Sequence, residues 1–585
     1  MTTPLTLISG MDPARGTEWW RRAVIYQVYP RSFADSNGDG VGDLPGITAR
    51  LPYLQTLGVD AIWLSPIYAS PGDDHGYDIS DYQAIDPMFG TLADFDALVA
   101  EAHDRGIRIV MDLVVNHTSD EHEWFVESAS SIDSPKRDWY WWRPAREGHQ
   151  PGTDGAEPTN WESFFQGSTW QWDEASGEYY LHLFSPKQPD LNWENPEVRQ
   201  AVYRMMNWWL DRGVDGFRMD VINLISKDPA LPDGVVAPGN IWGDGFEHYG
   251  YGPRIHEFLQ EMHAAVFALR DGEFVTVGEM PGVTVGQARL FTDPSRHELD
   301  MVFQFEHVGL DHGPHGKFDH RPLDVRDLKR SLQRWQDGLA ETGWNSLYWN
   351  NHDQPRAVSR FGDDGRFWAQ SAMALGGVLH LQRGTPFIYQ GEELGMTNVP
   401  FSDVSELRDI ESLNYFARAT AVLGADGAEV LGHIRVSARD NARTPMQWTA
   451  ERGAGFTTGR PWIAENPNHA QINAESQVGV AGSIFEFYRA LIRLRHEDRV
   501  ISDGTFTMLV PEHPTLVAFE RTLGDEALLV MANFSTVETD AMAVLDTAAW
   551  RGGSMLLANY PDPSLERRMR PWELRVIRRA GAAVS

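Results

Sequence analysis

Eight short apolar runs, each closing on polar or charged residues and each separated from the next by a stretch containing helical period, constrain this chain more than any other feature. They are AVIYQVY from Ala23, AIWLSP from Ala61, IRIVMDLVVNH from Ile107, GFRMD from Gly216, FVTVGE from Phe274, MVFQFE from Met301, NSLYWNNHD from Asn345 and PFIYQGEE from Pro386. Parallel strands are buried on both faces, so they read as near-continuous apolar runs, and each pair needs a helical crossover between them. Eight such units in succession predict an α/β chain folded as a closed (β/α)8 TIM barrel.

The spacing of the runs is uneven. Residues 119–187, after the third run, are rich in Trp, Gly and Pro without clear helical period, which predicts a small inserted domain. After the eighth run, 398–477 forms a further insertion that contains DNARTPMQW, and the helix-like IFEFYRALIRLRHED then closes the barrel. From about Val500 the texture changes to short alternating runs such as TLVAFERT and ALLVMANF, which predict an antiparallel C-terminal domain, expected as a β-sandwich. The expected layout is thus barrel over 1–118 and 188–499, inserted domain over 119–187 and C-terminal domain over 500–585.

In such a barrel the functional side chains stand where strands end, so the polar residue closing each run carries the chemistry. Three carboxylic acids occupy those positions: Asp220, Glu279 and Asp353. Arg218 lies two residues before Asp220, on the same face of a strand, where its charge favours an ionised nucleophile. Glu279 follows the apolar FVTVG, a setting that raises a carboxyl pKa toward that of a general acid. Asp353 adjoins His352 in NNHDQPR, two polar groups able to grip neighbouring hydroxyls. A nucleophile, a proton donor and an auxiliary acid are the set that glycoside hydrolysis with retention requires.

The bulk numbers narrow the partners. There are 83 acidic and 50 basic residues, a net charge of -33, which opposes polyphosphate binding and excludes nucleic acid as an expected ligand. No cysteine is present, which removes disulfides and thiolate chemistry and fits a reducing compartment. The first twenty residues lack a basic start followed by an apolar run, and no 18-residue apolar stretch occurs, so no membrane association and a cytoplasmic location are expected. A monomer is expected, with a dimer as the alternative.

The segment DSNGDGVGDL adds a metal expectation. Asp35, Asn37, Asp39 and Asp43 place oxygen side chains at alternate positions, Gly40 permits a sharp turn, and the carbonyl of Val41 supplies a further ligand. The twelfth position is Gly46 and the preceding VIYQVYPRSF reads as a strand, so the segment is not an EF-hand.

The motifs DLVVNHTS, GFRMD, VGEM and NNHDQPR resemble, in order, the four signature regions of the α-amylase family, glycoside hydrolase family 13, and nearly the whole chain fits its three-domain layout. The resemblance implies a retaining α-glucosidase in which Asp220 forms the covalent glucosyl intermediate, Glu279 is acid then base, and Asp353 stabilises the transition state. It implies that Asp74, His117, Arg218 and His352 hold the terminal glucose and that Tyr77 stacks beneath it. The segments KQPDLNWENP, FQFEHVGLD and DNARTPMQW look like the oligo-1,6-glucosidase, dextran glucosidase and α-glucosidase branch, whose members act from the non-reducing end of short substrates. Within that branch Val221 resembles members that accept α-1,6 bonds, Phe165, Phe184 and Gln188 match cleft-lining positions, and Arg443 and Glu411 match the aglycone side. Members also hold Ca2+ or Mg2+ in the loop at 35–43, a structural ion, and use no organic cofactor. Transglucosylation is an expected side reaction. Sucrose isomerases are the nearest alternative, but the segment after HDQPR, from Ala357 to Asp364, looks like that of the hydrolases. An amylase-like transporter heavy chain, the non-enzymatic alternative, needs a membrane span and tolerates loss of the carboxylates.

Overall fold

The computed structural model describes residues 18–314, 316–546 and 548–579. The stretch 1–17, on which the targeting expectation rests, and 580–585, the end of the expected C-terminal domain, lie outside the described residues.

Eight parallel strands form the core: β1 (Ile25–Val28), β2 (Ala61–Leu64), β3 (Arg108–Val114), β4 (Gly216–Asp220), β5 (Val275–Glu279), β6 (Met301–Phe303), β7 (Ser346–Leu347) and β8 (Thr385–Tyr389). They hydrogen-bond in the order β6-β5-β4-β3-β2-β1-β8-β7, and a parallel bridge between Val302 and Asn345 joins the two ends of that order into a ring. The TIM barrel foreseen from the eight runs is therefore present. The observed strands are shorter than the runs that announced them. The seventh run leaves the sheet at Tyr348, and its remaining residues build the turn that carries His352 and Asp353.

Side chains alternate across each strand. Ile25, Ala61, Trp63, Val110, Val275, Val277, Met301 and Phe303 pack together inside the ring, while Val24, Tyr26, Val28, Ile62, Leu64, Ile109, Met111, Phe217 and Met219 face the surrounding helices. The same alternation turns Arg218 and Asp220 inward. At the start of β4 only glycine fits, because a Cβ on Gly216 would lie 2.1 Å from the carbonyl oxygen of Val275.

The segment after β3 folds as a short helix, Glu123–Ala129, and a three-stranded antiparallel sheet of Trp142–Arg143, Glu178–Leu181 and Trp170–Asp173. Its aromatic core, including Trp141, Trp161, Trp170 and Tyr179, is shared with Val221 and Leu224. The insertion is thus packed directly onto the chain that leaves β4. After β8, helices Ile410–Ala417, Gly427–Ser437 and Asp440–Arg443 build a second flank with its own apolar cluster around Phe401 and Ile434. The closing helix, Ile484–Glu497, is tied back to the barrel by buried Arg495, which donates to the carbonyls of Arg21, Ala23 and Gly384.

The C-terminal region is a five-stranded antiparallel sheet of β9 (Thr505–Leu509), β10 (Leu516–Leu523), β11 (Glu526–Asn533), β12 (Ser554–Ala558) and β13 (Leu574–Arg578), in the order β9-β10-β11-β13-β12. Val517, Phe519, Leu528, Val530, Leu574 and Val576 join the main core, whereas Leu516, Ala518, Leu529, Met531 and Ile577 pack on the opposite face with Ala541, Leu545, Trp550 and Met569. Barrel helices cover one apolar face and the chain around 541–569 covers the other. The region needs no second sheet, and the sandwich expected from its alternating runs is realised as sheet on helix.

Lys329, on the helix Val325–Gly338, fastens this sheet to the barrel. Its Nζ is buried and donates to the carbonyls of Val510, His513 and Leu516 at 2.8, 2.6 and 3.0 Å. Lys329→Met strips three acceptors of their donor, and the expected loss in equilibrium denaturation is on the order of 2–4 kcal/mol. An unchanged midpoint would show that the sheet docks by apolar contact alone.

Candidate active site

The site grows from β4. Arg218 is 1% exposed, and its Nη1 donates to Asp112 Oδ1 at 2.8 Å and to Asp220 Oδ1 at 2.5 Å, while Nη2 pairs with Glu279 Oε2 at 2.7 Å. Asp112 lies on β3 and Glu279 on β5, so one guanidinium joins three adjacent strands, lying over the ring of Trp63 at 5.0 Å. Three buried carboxyl groups against one guanidinium cannot all ionise cheaply. Burial pushes Glu279 up to about 8, against the pull of Arg218 and with the help of the Asp220 and Asp353 charges, so its proton is retained at neutral pH. Burial raises Asp220 too, to about 7, and the Asp112 charge adds to this, while Arg218 opposes both and favours the ionised form.

A hydrogen-bonded chain runs from this triad to the seventh strand. Gln27 donates to His352 Nδ1 at 2.8 Å, which leaves the imidazole proton on Nε2, 2.6 Å from the Tyr77 hydroxyl, and that hydroxyl donates to Asp112 Oδ2 at 3.0 Å. The rings of Tyr77 and His352 stack at 5.2 Å, and Tyr77 lines the cavity. Asp353 accepts from Arg443 Nη2 at 2.7 Å and from Arg439 Nη1 at 3.3 Å. Against burial, His352 and these two guanidiniums hold Asp353 well below the usual carboxylate range. His352 is itself pushed down to about 3 by burial, so at neutral pH the arginine pair carries that effect. Arg439 also reaches Asp74 Oδ1 at 3.2 Å, joining the loop after β2 to the insertion after β8. Burial lifts Asp74 to about 7, opposed by Arg439 and Arg443. Gln188 Nε2 lies 3.3 Å from Asp74 Oδ2 and 3.2 Å from His117 Nε2, and burial keeps His117 neutral, at about 4.

These groups surround a cavity of about 230 Å3. Of the residues singled out in the sequence, Asp74, Tyr77, His117, Phe165, Phe184, Gln188, Asp220, Val221, Glu279, Asp353 and Glu411 line it. Arg218, His352 and Arg443 stand one layer behind, where they orient Asp220, Glu279, Tyr77 and Asp353. Arg443, expected on the aglycone side, is fully buried against Asp353 and the His352 carbonyl, since its guanidinium has no path to the cavity past Asp353. Glu411 is held at the rim by Lys317 at 2.5 Å. Phe164, Phe165 and Phe184 form the apolar wall. Val221 has φ 35°, ψ 41°, a left-handed backbone that is rare for a β-branched residue, and its N–H points at Glu279 Oε2 at 3.3 Å.

Sequence reasoning missed Asp112, Arg439 and Lys317. Asp112 was legible in principle: it lies in the third strand of the barrel and its alternation places it inward. Arg439 lies one helical turn before Arg443, but nothing local says that it crosses to Asp74. Lys317 sits in a hairpin, Gly316–His320 against His312–Gly313, with no motif of its own.

The loop at 35–43 packs against the chain at 456–462: Asp35 N donates to the Phe456 carbonyl at 2.9 Å and Trp462 N to that of Gly40 at 3.0 Å. Gly40 has φ 94°, and a Cβ there would strike the Arg460 carbonyl oxygen at 1.9 Å. Asp35 accepts from the N–H groups of Asn37, Gly38 and Gly40. Asp43 caps the helix Leu44–Leu57 through Gly46 N at 2.6 Å and accepts from Ser36. Among the described residues no group of three or more His, Cys, Asp or Glu is gathered to hold a metal ion. Of the expected ligands, Asn37 and Asp39 are exposed, and the set with Val41 is composed of oxygen donors alone, the chemistry that suits Ca2+ or Mg2+.

Residues 27–504 match the model of the α-amylase catalytic domain. The oligo-1,6-glucosidase of Parageobacillus thermoglucosidasius is 54% identical over 562 residues, which span 95% of this chain and 98% of that protein. A solved structure of a trehalose-6-phosphate hydrolase variant from Bacillus licheniformis superposes with a TM-score of 0.90 at 45% identity, over 96% of this chain and all of that one. The isomaltulose synthase of Klebsiella sp. LX3 does so with a TM-score of 0.89 at 40% identity, covering 96% and 99%. With the acid pair of β4 and β5 on one guanidinium and the family model spanning most of its length, the chain belongs to the α-amylase family.

Proposed function

We propose that the protein is a retaining, exo-acting α-glucosidase that hydrolyses terminal α-1,6 bonds of short isomaltose-type oligosaccharides. The observation that carries the reading is the shared grip of Arg218, with Nη1 2.5 Å from Asp220 Oδ1 and Nη2 2.7 Å from Glu279 Oε2. Two carboxyl groups on one guanidinium stand close together, which suits double displacement at about 5–5.5 Å, where inversion needs about 6.5–9.5 Å for a water between them. Asp220 attacks the anomeric carbon while Glu279 gives its proton to the departing oxygen, forming a glucosyl ester. Glu279, now a carboxylate, takes a proton from water, and that water's oxygen releases α-glucose and restores Asp220. Asp353, kept ionised by Arg439 and Arg443, faces the positive charge that develops on the ring. Asp74, His117 and Gln188 offer hydrogen bonds to the hydroxyls of a terminal residue over Tyr77, and the bridge from Asp74 through Arg439 to Asp353 supports binding of one end of a chain.

The α-1,6 preference rests on relatives named oligo-1,6-glucosidase, four of them at 50% identity or more, and on Val221 at the cavity wall. The proposal includes a monomer and a cytoplasmic location, a reducing setting that the absence of cysteine suits. Among the described residues no helix is long and apolar enough to cross a membrane. An ion at this loop would take oxygen donors from Asp35, Asn37, Asp39, Val41 and Asp43, would brace the loop and would take no part in the chemistry.

Products from isomaltose, maltose, panose and sucrose at matched concentrations test the assignment. Glucose released fastest from isomaltose is expected, and Val221→Ala should change the isomaltose to maltose ratio of kcat/KM by roughly 10-fold; isomaltulose formed from sucrose would favour the isomerase reading. Asp220→Asn should lower kcat by roughly 10⁴-fold or more while unfolding cooperatively, and near-normal turnover would remove Asp220 as nucleophile. Because Glu279 must carry its proton to act as acid, kcat/KM should fall as pH rises through about 8. An alkaline limb that stays flat past that point would reassign the acid. Chelation should lower Tm more than the initial rate; the reverse would draw the ion into catalysis.

A further inference from the structure

Behind the catalytic turn lies a second polar site, far smaller than the first. The turn Glu392–Leu394, after β8, is bracketed by Gly391 and Gly395 with φ of 88° and 67°. A Cβ at 391 would lie 2.3 Å from Met396 Sδ and one at 395 would lie 2.6 Å from Ile484 Cδ1, so the turn is fixed and Glu392 is directed inward, 7% exposed. Its Oε1 accepts from the Tyr488 hydroxyl at 2.9 Å, on the closing helix, while its Oε2 is buried with no hydrogen-bond partner. Asn350 is 2% exposed, and both Oδ1 and Nδ2 are likewise unpaired. Asn350 and Glu392 line one cavity of about 10 Å3, together with Arg356, Tyr488 and apolar side chains such as Leu375 and Met396.

Three unpaired polar atoms on one small cavity are unusual, since more than about 90% of buried polar groups are paired and each exception costs roughly 1–3 kcal/mol. The volume is that of one water and of nothing larger. The charge balance also points to a neutral occupant. Arg356 directs its guanidinium to the carbonyls of Gln390, Asn441 and Ala442 beside the cavity, which repels a cation. Burial pushes Glu392 up to about 8, so its carboxyl is neutral and attracts none.

We propose that this cavity binds a single ordered water that joins Glu392 to Asn350 and so positions the turn carrying His352 and Asp353. The water accepts from the Glu392 carboxyl and donates to the carboxamide oxygen of Asn350. The next residue, Asn351, accepts the N–H of Asp353 at 2.8 Å, so the position of the turn follows that of Asn350. The link therefore runs from Tyr488 on the closing helix, through Glu392 and the water, to the back of the catalytic loop. Neither Asn350 nor Glu392 lines the active cavity, so both are positioning residues.

A high-resolution crystal structure of the intact protein should show one water within about 2.7–3.2 Å of both side chains. Asn350→Leu should expel it and lower kcat on isomaltose by about 10-fold or more with KM near that of the unaltered protein. Glu392→Gln, which keeps a donor and an acceptor at the cavity, should retain the water and most of kcat. A dry cavity in the unaltered protein overturns the proposal even if Asn350→Leu does not fold, and a water present with kcat unaffected by its loss overturns the positioning role. The kcat arm rests on the substrate assigned above whereas the density does not, so failure of either reading is visible separately.

Discussion

A single guanidinium shut away from water sets the electrostatics of this protein. Arg218 touches Asp112, Asp220 and Glu279 at once, and strand register makes that possible: Arg218 pairs with Asp112 across β3 and with Val277 across β5, which sets Glu279 one inward step further along. One positive charge cannot compensate three negative ones in a buried site, so a proton stays where burial is most costly to the anion, on Glu279. Arg218 draws Asp220 toward its anion while burial holds Glu279 toward its acid, so one shared partner helps to set the two carboxyl groups apart.

Around that centre the barrel supplies position and the insertions supply enclosure. The loop after β2 brings Asp74, the segment after β3 brings Phe165, Phe184 and Gln188, the hairpin after β6 brings Lys317, and the segment after β8 brings Glu411 and Arg439. None of these pieces could hold its side chain in place alone. Arg439 is stable in its buried setting because Asp74, Asp353 and Asp409 surround it, with ion pairs of 3.2, 3.3 and 2.7 Å. The aromatic core shared by the first insertion and the chain leaving β4 ties the cavity wall to the strand that bears Asp220, and Val221, held at a positive φ, belongs to both. Strain at a wall residue whose N–H also meets Glu279 is the kind that a surrounding core must impose.

The barrel was legible because parallel strands leave a strong local trace, eight apolar runs with helices between. Asp220 and Glu279 were legible because they close strands, and Asp353 because it closes a run whose end builds a turn. What escaped was written across the chain and not along it. Asp112 reads as one polar residue in an apolar run until the ring closes and turns it toward Arg218. Arg443 reads as a partner for substrate until the insertion folds it under Asp353. The C-terminal runs read as strands of a sandwich, yet a strand run does not say what covers its faces, and helices cover one of them here.

By itself, the sequence determined the order of strands and helices and the inward side of β4 and β5 on which Asp220 and Glu279 stand, because period, strand length and turn residues act over a few neighbours. The tertiary structure alone decided which acid keeps its proton, which arginines stand behind the wall and not in it, and how far the cavity is closed. Those outcomes depend on burial and on distances between charges from 74 to 439, quantities that exist only once segments hundreds of residues apart share one low-dielectric space.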